Sequence, residues 1–167
     1  MSAGVTTRPS SVTQARLVYV DSGELVADAR MLFQEYEQAI GVDLCFQGFA
    51  RELATLPKPY VAPDGRLVLA LRDAEVAGCA ALRRIGDGVA ELKRLYVRPA
   101  FRGRGLGKRL VDTLLEDART IGYRAVRLDT LPTMREAIAL YRTLGFTEIA
   151  PYTANPVPGA LYMERRL

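Results

Sequence analysis

"PAFRGRGLGKRLVDTLLEDA", residues 99–118, sets three glycines among four basic side chains and then runs straight into an amphipathic pattern. Leu106, Leu110, Val111, Leu114, Leu115 and Ala118 recur at helical spacing, and Gly122 is a stop signal. Glycines ahead of a helix let backbone N–H groups converge on an anion, and the helix dipole adds favourable potential there. Arg102, Arg104, Lys108 and Arg109 supply further positive charge. A phosphate or pyrophosphate is the natural guest. The competing reading is a plain helix start with a solvated basic face.

Working outward, the period changes on both sides. Upstream, Arg66–Leu71, Glu75–Ile85 and Val89–Val97 are strand-like runs separated by "RDAE" and "GDG", which predicts an antiparallel meander. Downstream, Ala125–Asp129 reads as a strand and Met134–Leu144 as a helix ended by Gly145. Phe146–Ile149 is a further strand, and Leu161–Arg165 is the last, after the turn-rich "PYTANPVPGA". Near the start, Arg16–Val20 is a short strand. Asp21 and Glu24 have capping-box spacing for a helix running to Ile40 and ended by Gly41. Asp43–Leu56 reads as a loop entering a shorter helix, closed by Pro57 and Pro59. The expectation is an α/β chain with a mixed sheet, a loose N-terminus over residues 1–14 and one domain over 15–167.

Composition narrows the chemistry. The chain has 167 residues, enough for one domain with a real core. Its net charge of +4 favours an anionic ligand but falls short of a dedicated nucleic-acid footprint, so no nucleic acid is expected as a partner. There is no histidine, which excludes Ser-His and Cys-His triads and histidine-ligated zinc. Cys45 and Cys79 match no metal spacing, so no metal is expected. Cys79 reads as a small buried hydrophobe, and Cys45 as a thiol that direct transfer does not need. No run reaches membrane-spanning length and residues 1–14 lack a hydrophobic leader core. A cytoplasmic protein with no membrane partner is expected.

Two nucleotide motifs can be tested on the glycine loop. The phosphate-loop pattern of nucleoside triphosphatases fails at Arg102 and again at Arg109. A dinucleotide reading gains from Asp129 at a strand end, but the third glycine comes one position early and the preceding strand belongs to a meander. An NAD(P)-binding protein stays a minor alternative. The pattern that fits is Arg/Gln-x-x-Gly-x-Gly/Ala, met by Arg102, Gly105 and Gly107. With "ELKRLYVRPAFRGRGLGKRLV" (Glu91–Val111) and "ALYRTLGF" (Ala139–Phe146), the chain resembles the GNAT acyltransferases, which use acetyl-CoA.

That resemblance implies a GNAT fold: a mixed, mostly antiparallel sheet of six to seven strands flanked by about four helices. It implies transfer of the acetyl group of acetyl-CoA to an amine of a small molecule or peptide, in a ternary complex. A non-catalytic acetyl-CoA-binding module is the alternative. The backbone around Arg102, Gly103, Arg104, Gly105, Gly107 and Lys108 would cradle pyrophosphate. A bulge in Glu91–Val97 would free an edge at Leu95 and Val97 to pair with pantetheine amides, and the N–H near Leu95 would polarise the acyl carbonyl. A homodimer is also within the family's habits.

For the chemistry, the resemblance implies Glu91 as base, directly or through water, and Tyr141 as the acid that protonates the departing thiolate. The alternative for Glu91 is an ion pair with Arg83, Arg84 or Lys93 across the hairpin. Asp129 is a second carboxylate candidate, beside Thr130. Phe46, Gln47 and Phe49 border the expected acceptor site, and Tyr152 faces it from the "PYTANPVPGA" loop. Many relatives carry Asn seven residues before the tyrosine. Here that position is Met134, so its cofactor contact is not expected.

Overall fold

The computed structural model describes residues 13–167, and most of the expected loose N-terminus lies outside them. Seven strands form one sheet: β1 (Arg16–Tyr19), β2 (Arg66–Arg72), β3 (Glu75–Gly86), β4 (Val89–Val97), β5 (Ala125–Thr130), β6 (Thr147–Ile149) and β7 (Leu161–Arg166). Their order is β1-β2-β3-β4-β5-β7-β6. Only β4 and β5 run parallel. A parallel pair needs a crossover, which the helix α3 (Leu106–Ile121) supplies. The other helices are α1 (Glu24–Ile40), α2 (Phe49–Thr55) and α4 (Arg135–Thr143).

Both faces of the sheet are covered. Alternate residues therefore enter two cores, and β2 reads as a run of apolar side chains rather than as strict alternation. Val68, Ala80, Leu82, Leu92 and Leu128 pack with the α3 stripe of Leu110, Val111, Leu114 and Leu115. Leu67, Leu69, Cys79 and Ala81 pack on the opposite face with Leu32 and Phe33 of α1 and Phe49 of α2. The six apolar residues expected on one face of α3 are all buried.

Two local features differ from expectation or go beyond it. Asp21 does not cap α1: the helix starts after Gly23, whose φ of 76° no capping Asp needs, and the Asp21 carboxylate accepts from the neighbouring Ser22 hydroxyl at 3.3 Å. The other feature positions the site. β4 and β5 pair only over Val89↔Ala125, Ala90↔Val126 and Glu91↔Arg127, after which the sheet forks. On its other side β4 jumps register, from Lys93 opposite Ala81 to Tyr96 opposite Cys79, so Arg94 and Leu95 bulge out of both ladders. Arg94 sits at φ 58°, a left-handed conformation that costs a non-glycine residue about 1–2 kcal/mol.

Candidate active site

What holds Arg94 in that conformation is its side chain. The guanidinium is buried, its Nε donates to Glu52 Oε2 of α2 at 3.0 Å, and it lies over the rings of Tyr36 and Phe49. Tyr60 in turn donates its hydroxyl to Glu52. The Arg94 carbonyl, freed from the ladder, accepts from the buried Cys79 thiol at 3.3 Å. Burial pushes that thiol's pKa well up, which suits a structural group and not a nucleophile. At the end of the strand, Arg98 grips Glu35 with contacts of 2.9 and 2.7 Å, pinning α1 beside the fork.

The fork opens into a cleft of about 770 Å³. One wall carries Leu95, Tyr96 and Val97 of β4, and the floor is the loop Arg102, Gly103, Gly105, Gly107 and Lys108. Gly103 and Gly105 adopt φ of 77° and 73°, and a Cβ at either would meet nothing within 4 Å. The loop therefore turns in conformations natural to glycine while its inner surface stays bare. No side chain caps α3, so the amides of its first turn stay open toward the cleft. Arg102 is stapled to the strand end by its Nε bond to the Val97 carbonyl at 2.9 Å. Its cation, Lys108 and these amides suit a bound pyrophosphate. Arg104 is the exception among the expected loop residues: it is exposed and does not line the cleft.

Beyond the bulge lies a smaller cavity of about 30 Å³. Phe46, Gln47, Asp129 and Tyr141 line it, together with Thr130. Asn155, from the "NPVPG" stretch that reads as the other wall or a rigid turn, lines it too, as do Lys93, Arg94 and Tyr36, which the sequence reading did not single out as site residues. Two consecutive polar residues, Lys93 and Arg94, between Leu92 and Leu95 were the available signal, because a strict alternation cannot hold both on one side without a bulge. Cleft and cavity share Tyr36, Ile40, Leu95 and Met134. Tyr141 is buried and packs on Phe146 at a centroid distance of 5.7 Å. Burial raises its pKa strongly, with the nearby Tyr36 and Asp129 adding to that. Asp129 accepts from the Asn155 side-chain amide at 3.0 Å.

Glu91, expected as the base, sits apart from both spaces. It is 2% exposed and lines neither cleft nor cavity. Its Oε1 is held by Arg83 through Nε at 3.0 Å and Nη2 at 2.9 Å, with Lys93 at 3.6 Å, and its Oε2 accepts from the Tyr152 hydroxyl at 2.7 Å. Burial alone would raise its pKa, but Lys93, the Tyr152 bond and Arg83 outweigh burial and lower it below 4.5. A carboxylate with both oxygens held and a lowered pKa anchors the last rung before the fork. Tyr152, expected to face the acceptor site, spends its hydroxyl on that anchor and does not line the cavity.

A prediction follows for stability. Because the folded pKa lies below the unfolded one, Glu91 stabilises the fold above pH 4.5, and that contribution is lost as pH falls through the folded value. Glu91→Gln should cost about 2–3 kcal/mol at neutral pH, the partial exposure of Arg83 tempering the full loss of a buried pair. The cost should shrink as the pH is lowered past 4.5. Urea unfolding of both proteins at neutral and acid pH checks this; equal midpoints at neutral pH would sink it.

Residues 25–146 match the acetyltransferase (GNAT) family model. The chain is 42% identical over 138 residues to an "uncharacterized N-acetyltransferase" of Schizosaccharomyces pombe, covering 81% of this chain and 85% of that one. It is 37% identical over 118 residues to the IAA acetyltransferase of Azospirillum brasilense, covering 70% and 74%. In fold it is similar to a Salmonella typhimurium protein solved with its cofactor acetyl-CoA, at a TM-score of 0.64 and 22% identity, covering 92% of this chain and 94% of that one. With the forked sheet and glycine loop already in place, these matches show that the chain is an acyltransferase and belongs to the GNAT acetyltransferase family.

Proposed function

We propose that this protein transfers the acetyl group of acetyl-CoA directly to the amine of a small acceptor, both bound at once. The observation that carries the reading is the junction at Leu95, where a large cleft with an anion-binding floor meets a small polar cavity. Acetyl-CoA, when bound, supplies the activated acyl thioester. The chain's own groups do the rest. The amides and cations of Arg102–Lys108 hold pyrophosphate, and the unpaired edge at Leu95 and Val97 receives the pantetheine amides. The Leu95 N–H, out of both ladders because of the bulge, donates to the acyl oxygen as charge develops there.

Within the cavity, Asp129 takes over the part first given to Glu91. It is the carboxylate on the lining, so the acceptor ammonium meets it and gives up a proton there or to an adjoining water. Tyr141 keeps its proton throughout the working pH range, since burial raises its pKa, and donates it toward the departing sulfur. The small size of the cavity, about 30 Å³, supports a small acceptor over a protein chain.

Calorimetric titration with acetyl-CoA, with NADH as control, tests the cofactor, and thiol release dependent on added amine tests the transfer. Acetyl-CoA binding with amine-dependent release is the expected result. Binding of NADH and not acetyl-CoA would overturn the reading, and binding without amine-dependent turnover would leave a cofactor-binding module in its place.

A further inference from the structure

The charged groups around the small cavity sort by whether they face it. Arg83 serves Glu91 through two nitrogens, and Arg94 serves Glu52, so both pairs are internally neutral. Lys93 and Asp129 remain. Lys93 has an 8% exposed side chain; its Nζ donates to Gln47 Oε1 at 3.1 Å and stands 3.6 Å from a Glu91 oxygen that Arg83 already holds. An ammonium has three donors, so one is left for the cavity that Lys93 lines. Gln47 accepts through its oxygen, which leaves both N–H groups of its amide on the same wall. Asp129 accepts from the neutral Asn155 side chain. The cavity therefore sets a cationic, donor-rich wall beside a carboxylate, a lining complementary to a ligand that carries both charges.

We propose that the acceptor is an amino acid or a close analogue, a small molecule carrying a carboxylate beside its amine, with Lys93 and Gln47 binding its carboxylate and Asp129 receiving its ammonium group. The proposal rests on the acetyl-transfer reading above and adds the substrate class. A simple amine or polyamine would satisfy Asp129 but leave Lys93 facing an apolar or cationic group. An acid without an amine would satisfy Lys93 but offer nothing to acylate.

The test uses the whole chain. Thiol release is measured with the twenty proteinogenic L-amino acids, their α-amides, and spermidine, alongside acetyl-CoA titration. At least one free amino acid should be used with kcat/KM about 100-fold or more above that of its own amide, since a site built for a polar group rejects the analogue lacking it. Lys93→Met should raise KM for that amino acid by a similar factor while changing kcat little, and Lys93→Arg should restore much of the loss. Acetyl-CoA affinity of both variants reports whether the fold survived. Amides or spermidine used as well as the free acids would overturn the proposal, as would turnover of no amino acid by protein that binds acetyl-CoA. No acetyl-CoA binding by the wild type would overturn the acetyl-transfer reading itself, a separate and distinguishable failure.

Discussion

Replacing Gly105 by glutamate should raise the Kd for acetyl-CoA by at least about 100-fold, or about 2.7 kcal/mol. Gly105 is the residue ahead of α3, at φ 73° and ψ 14°, and a Cβ there would project into open space. The backbone cost of a side chain in that conformation is about 1–2 kcal/mol, which a folded domain survives. The electrostatic cost falls on the ligand. A carboxylate would stand at the positive end of the helix, between Arg102 and Lys108, and compete with pyrophosphate for the same amides. Gly105→Ala separates the two effects, because it carries the backbone strain without the charge, and its Kd should stay within about 10-fold of wild type. Calorimetry reads the affinities and thermal melting confirms the fold. Undiminished binding by the glutamate variant would remove the loop from the cofactor site.

The glycine loop was legible in the sequence because its chemistry is local: positive-φ glycines, basic neighbours and an apolar helix stripe all lie within twenty residues. The meander was legible for the same reason, as strand periods and two-to-four-residue turns are short-range signals. Glu91 shows where that reach ends. Its position in the motif identifies the strand but not the direction in which the side chain's lone pairs are spent. Arg83 lies across the hairpin and was weighed as a partner; Tyr152, which completes the anchor, comes from a loop 61 residues away. The same holds for Arg94, whose partner Glu52 belongs to α2. Only the folded chain shows that a basic residue in a strand is the clamp for the bulge. Lys93 was missed as a site residue because it is an ordinary polar residue locally and enters the cavity only through the fork.

That fork also explains why the two halves of the proposed chemistry have different structural origins. The cofactor half is carried by backbone, in β4 and in the loop before α3, so its recognition needs few particular side chains beyond glycines. The acceptor half is carried by side chains drawn from α1, the Leu44–Gln47 turn, β4, β5 and the last loop. Substitutions there can change the acceptor while the cofactor geometry stays fixed by the bulge.

Tyr141→Phe should lower kcat by about 100-fold, a typical loss for one positioned acid, with acetyl-CoA affinity and melting temperature nearly unchanged. The ring remains, and with it the packing on Phe146 and in the buried cluster beside α3. Phenylalanine therefore subtracts one proton donor and little else. Alanine would not serve, since deleting a buried ring opens a cavity worth about 3–5 kcal/mol and confounds catalysis with folding. Because burial holds the tyrosine's pKa far above neutrality, the wild-type pH profile should show no alkaline fall from its ionisation below pH 10, its ordinary value. Single-turnover kinetics with a saturating acceptor isolates the step. An unchanged rate in the phenylalanine variant would mean that the departing thiolate takes its proton from solvent, and that Tyr141 is in the core only to fill it.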